Sequence, residues 1–164
     1  MAKATTFDES PQEHLLKEIK SARSVMLGST NIDEHMQPMT PQVDVDESVI
    51  YFFADRFSQL GKTIGVNPGT VELCHITKDF QASIKGRLTT HNDADIIDKF
   101  WSPIVEAWYP EGKADPKLIL LKFVPQKAAI WTSDKNVFSF LYEITKANIS
   151  NETPDIGNRK TIEM

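Results

Sequence analysis

Four histidines, one cysteine and three tryptophans carry the widest chemical repertoire in this chain. The histidines, at 14, 35, 75 and 91, are not paired at metal-ligand spacing, so no metal site is expected. Cys74-His75 places a thiol beside an imidazole, the pairing of an activated nucleophile. Neighbours in a strand point to opposite faces, however, so one of the two belongs in the core and the other toward solvent. The chain contains no GxGxxG, Walker A, HExxH or GxSxG pattern. Trp101 and Trp108 lie two helical turns apart on an apolar stripe, which predicts core packing for both. Trp131 closes an apolar strand before the polar run Thr132-Ser133-Asp134-Lys135. It fits either the core or the rim of a pocket.

The elements that would position these residues follow from periodicity. Ser10-Pro11-Gln12-Glu13 reads as a helix start with Ser10 as cap and Glu13 completing a capping box. Leu15, Leu16, Ile19 and Ala22 then share one face. Residues 24–30 and 48–54 read as strands, with 34–45 extended between them despite Pro38 and Pro41. A short helix over 58–66 ends at Asn67-Pro68-Gly69. Residues 70–77 and 80–90 read as a hairpin pair. The period changes over 92–109, where a helix restarts at Pro103. Two further strands are expected at 117–124 and 127–132; over 137–146, Val137, Leu141 and Ile144 fit a helix while Phe138, Phe140, Tyr142 and Ile144 fit a strand, and the helix is preferred. Residues 1–9 and 148–164 read as a flexible start and a loose tail. Strands in blocks, without βαβ alternation, predict a mainly antiparallel sheet. Closing it into a β-barrel with peripheral helices hides its edges.

Composition bounds the function. The 164 residues are one domain's worth of chain. A net charge of −5 argues against a nucleic-acid partner, which needs a basic surface. A single cysteine excludes an internal disulfide. No apolar run reaches membrane-spanning length, and the N-terminus has no secretion-signal pattern, so a soluble cytoplasmic protein is expected.

The ordered set MLGST, HMQPMT, IYFFAD, a short helix ending in NPG, SIKGRL, FWSPIVEAWYPEG, ADPKLILLKFVP and AAIWTSD resembles the pyridoxamine 5′-phosphate oxidase-like family. Within it, the chain is similar to the general stress protein group. The resemblance runs from about Gln12 to Leu141. It implies an FMN-binding split barrel of six to seven strands that forms a homodimer, with FMN in the cleft between the subunits. The positions it assigns to the flavin are Gln37, Pro38, Met39 and Thr40; Phe53, Ala54 and Asp55; Ser58, Gln59, Leu60 and Lys62 around the phosphate; Gln81; and Trp131.

The chain also departs from the family pattern. Gln37 stands where arginine is common, and Gln59 and Leu60 stand where the oxidases have adjacent arginine and lysine. Arg56 and Lys62 are the cations left to meet a phosphate, with the amides near Ser58 as further donors. Residues 137–141 lack the Arg-x-His pattern that grips the oxidases' substrate, which argues against vitamin B6 oxidation. The resemblance thus implies a flavin-dependent oxidoreductase of another substrate, with NAD(P)H as a candidate electron donor. The alternatives are a flavin-binding stress or sensor protein without turnover, and a relative that binds haem through His35 and His75.

Overall fold

Apolar–polar alternation decides which side of each strand faces inward, and the inward sides meet in a single barrel core. In a computed structural model, residues 10–29, 33, 35–133, 146 and 158–164 are described. The elements are α1 (Pro11–Ser21), β1 (Val25–Ser29), β2 (Gln37–Met39), β3 (Gln42–Asp44), β4 (Val49–Asp55), α2 (Gln59–Val66), β5 (Gly69–Ile76), β6 (Phe80–Thr90), α3 (Ala94–Phe100), α4 (Pro103–Glu106), β7 (Leu118–Thr132) and β8 (Asn158–Glu163). The strands follow the path β2-β1-β5-β6-β7-β4-β3, with β8 added against β7, and every pairing is antiparallel.

The path itself shows that the sheet curls. Its two ends, β2 and β3, are joined by only Thr40 and Pro41. Three Cα steps of about 3.8 Å cannot span more than about 11 Å. The edges of the sheet are therefore brought together as a split barrel. The extended stretch expected over 34–45 is thus two short strands, one at each lip of the split. This explains its prolines: Pro38 lies at an edge, opposite Met26, and Pro41 sits in the crossing.

A helix closes each end. α1 sends Leu15, Leu16 and Ile19 into the core and reaches the β3–β4 turn through Gln12 Nε2, which donates to Ser48 Oγ at 3.1 Å. α2 follows β4 at the opposite end and inserts Leu60 and Ile64. Ser58 caps α2 by accepting from the Gly61 amide at 3.0 Å. Ser10 forms no such side-chain bond; Pro11 starts α1, and Glu13 pairs with Lys17 instead of closing a capping box. Three buried leucine or isoleucine side chains, each worth roughly 1.5–3 kcal/mol when fully buried, hold α1 down without a cap.

Three further expectations are corrected. The strands read at 117–124 and 127–132 are one strand, β7. Pro125 does not break it, because its missing N–H falls where β4 has stopped pairing, at Phe123, and β8 has not begun, at Lys127. The tail is not loose at its end, since 158–163 form β8, which packs Ile162 and Met164 against the core. Trp108 is 78% exposed instead of packed. The helix phase is lost between the tryptophans, because Trp101 leaves the helix at ψ 132° and Pro103 restarts it. The flexible start at 1–9, the helix over 137–145 and the tail over 148–157 fall outside the described residues. No helix among the described residues is long and apolar enough to cross a membrane.

Candidate functional site

The residues singled out by the sequence separate into three places. The first is the β4–α2 junction. Asp55, Arg56 and Lys62 are exposed there, with Ser58 half-buried between them. The Asp55 carboxylate accepts from the Phe57 amide at 2.7 Å, and the Asp55 carbonyl accepts from the Ser58 hydroxyl at 2.6 Å. These bonds turn the chain sharply from strand into helix. Gly61 is required by that turn, since a Cβ there would lie 2.3 Å from the Asp55 carbonyl oxygen. Arg56 is pinned to the start of β7: its amide donates to Lys117 O at 2.7 Å and its guanidinium to Leu118 O at 3.2 Å. Lys62 makes no such side-chain bond among the described residues. Ala54 and Leu60 lie in the core, so only their main chain can face a ligand. Phe53 packs edge-on against Trp101 at 5.9 Å, beneath α4.

The second place is the far end of β6 and β7. Gln81 and Trp131 are register partners on the outer face of the sheet. The Gln81 amide nitrogen donates to the Thr77 carbonyl at 2.8 Å, which leaves its oxygen as an acceptor. Trp131 is 38% exposed. Its other register partner is Arg159 of β8, whose guanidinium lies over the indole at 5.6 Å. Sequence reading missed Arg159 because 158–164 is polar. The only signal was the spacing of Ile162 and Met164.

The third place is the β2–β3 crossing. Gln37 and Met39 face inward and are half-buried, and Met39 packs on the core. Pro38 and Thr40 are exposed. Pro38 belongs to a row of residues on the outer face, through Met26, Cys74, Ser83 and Ala129, one pleat from the Gln81–Trp131 row.

The first two places lie at opposite ends of the barrel. Asp55 pairs with Leu118 at the start of β7, whereas Trp131 stands near its end. At roughly 3.3 Å per residue, about 40 Å of strand runs between them. No small ligand can touch both in one chain.

The remaining candidates are not poised for proton or group transfer. Burial, then the nearby Glu72, pushes the Cys74 thiol up, away from the reactive thiolate. His75, on the opposite face, is buried in the barrel, and burial holds its imidazole below the ordinary value. Burial, with Asp55 and Asp115, pushes the Tyr109 phenol up to about 12, so it stays neutral as a packing group. His35 is exposed before β2 while His75 faces inward. The two do not form an axial pair around one haem cleft.

The sequence matches the family model described as "Pyridoxamine 5'-phosphate oxidase like" over residues 10–155. A solved structure named as a general stress protein 26 from Jannaschia sp. CCS1 is 31% identical. It aligns over 93% of this chain and 96% of its own, with a TM-score of 0.76. The general stress FMN/FAD binding protein from Xanthomonas citri is 35% identical over 77% of this chain and 91% of its own, with a TM-score of 0.70. General stress protein 26 of Bacillus subtilis is 34% identical over 85 residues; the match spans 49% of this chain and 60% of that protein's length.

Proposed function

Because this chain belongs to the pyridoxamine 5′-phosphate oxidase-like family, among relatives named general stress protein 26, we propose that it binds FMN between two copies of itself and serves as a flavin-dependent oxidoreductase. The observation that carries this reading is the separation of the two residue groups along β7. The β4–α2 junction and the Gln81–Trp131–Arg159 row each offer half of a flavin site. A homodimer can bring the junction of one copy to the row of the other. The Xanthomonas citri relative, named as FMN/FAD binding, supports the choice of cofactor.

The residues present fit such a group. At the junction, the Gln59 and Leu60 amides open α2, where main-chain N–H groups are unsatisfied by the helix itself. Lys62 adds a positive charge one turn on. Together they would hold the phosphate where related oxidases use arginine and lysine. They would act against Asp55 and a net charge of −5 per chain, twice that for the dimer. At the row, Trp131 would stack on the ring system, Arg159 would set a cation at its edge, and the free oxygen of Gln81 would accept a hydrogen bond. Bound FMN would supply the electron chemistry, with NAD(P)H as the donor we propose.

The visible spectrum of protein purified from cells, followed by FMN titration, tests this reading. A flavin spectrum, or quenching of added FMN, is expected. A colourless protein that leaves FMN fluorescence unchanged would overturn it. Stopped-flow mixing of the loaded protein with NADH or NADPH then separates turnover from passive binding: bleaching of the flavin band is expected.

A further inference from the structure

We propose that α1 is an acid-releasable plug on the barrel, because it docks beside the buried imidazole of His75, whose Nε2 has no hydrogen-bond partner among the described residues. His75 stands on the inner face of β5, opposite Ala82 of β6, and is 6% exposed. Its Nε2 is buried and has no partner among the described residues. Its ring lies 6.2 Å from the Phe80 ring, and Phe80 in turn lies 5.8 Å from the ring of His14 on α1. Leu15, Leu16 and Ile19 of α1 join Phe80 and Ala82 in the same core. The docked helix thus reaches the buried ring through Phe80 and Glu18, beside a polar atom that gains nothing from burial.

A neutral imidazole tolerates this position, since one ring nitrogen can stay an unused acceptor. An imidazolium does not, because both nitrogens become donors and the ring carries a buried charge. Among the described residues, the titratable groups around the ring are few. α1 offers Glu18 and His14, which approach each other at 3.7 Å, while β6 offers the apolar Phe80 and Ala82. Burial lowers the affinity of His75 for a proton, and Glu18 restores only part of it. The docked state therefore takes up a proton less readily than the open one. Docking is fully favoured above the ordinary histidine value of 6.5. It weakens as pH falls below that value, until the docked ring itself protonates. This device stands apart from flavin binding, and α1 can be followed with no flavin present.

The test is amide hydrogen exchange across α1 at pH 7.5 and pH 5.0, expressed as protection relative to the unstructured rate. At pH 5.0 the ratio of protonated to neutral open-state histidine allows a loss of protection of up to roughly thirtyfold. The wild type is expected to lose at least tenfold over α1 while the β6–β7 pairing keeps its protection. His75→Phe should hold α1 protection nearly constant, and His75→Gln should do the same if the phenylalanine variant does not fold. His14→Gln should keep the acid response. Equal loss in the wild type and both His75 variants, no loss in the wild type, or abolition by His14→Gln alone would overturn the proposal.

Discussion

Trp131 and Arg159 face each other across β7 and β8, with the guanidinium 5.6 Å from the centre of the indole ring. The pairing orders an arginine that would otherwise sample many rotamers. It also gives one end of the barrel an aromatic surface and a fixed cation together. A stacked cation of this kind is worth about 0.5–1 kcal/mol at an exposed site and about 2 when desolvated.

Under the proposed function, both residues contribute to flavin affinity. Trp131→Ala removes the stacking surface and the platform for Arg159, so FMN should bind about tenfold or more weakly by fluorescence titration. Arg159→Gln should give a smaller loss that shrinks as salt is raised. Both variants should keep the wild-type far-UV circular dichroism, because Trp131 is on the outer face. Wild-type affinity in Trp131→Ala would remove this end of the barrel from the site.

Lys62 separates phosphate recognition from ring recognition. A hydrogen bond to a charged group is worth about 1.5–3 kcal/mol. Lys62→Ala should therefore weaken FMN by roughly ten- to a hundredfold on that scale, and leave riboflavin, which has no phosphate, almost unchanged. The two titrations side by side give the answer. Equal losses for both ligands would place Lys62 away from the phosphate.

Asp115 predicts a stability effect with no loss of specific contacts to ligand. Its carboxylate is 7% exposed and accepts from the Lys117 amide at 2.9 Å and the Glu111 amide at 3.3 Å. It thereby fixes the loop that delivers β7 to Arg56. Asp115→Ala leaves two amides unpaired and should cost about 1–3 kcal/mol, read as a lower denaturant midpoint with an unchanged m-value. FMN affinity at a temperature where the variant is folded should change little.

Much of the fold was legible because its core-facing strands alternate clearly. The hairpin of β5 and β6, the strong apolar run of β4 and the short helix α2 stand where the sequence places them. What escaped the sequence has physical causes. β8 hides because an edge strand that buries only Ile162 and Met164 carries almost no apolar signal, and Arg159 is lost with it. Pro125-Gln126 looked like a strand break because the gap between β4 and β8 that tolerates it is a tertiary fact. That error concealed the length of β7, and so the distance between the two halves of the candidate site. The buried main-chain positions, Ala54 and Leu60, came from family resemblance and not from any pattern in their side chains.

The separation of the two halves is best tested by mixing Trp131→Ala with Lys62→Ala protein under conditions that exchange subunits. Each variant alone carries a defect in both sites of its dimer. A mixed dimer places both defects in one site and leaves the other with an intact Trp131 and an intact Lys62. The account predicts that mixing restores tight FMN binding, at wild-type affinity, to one site in each mixed dimer. Tight binding that never returns, although mass spectrometry shows the mixed dimers have formed, would contradict a flavin site shared between two copies.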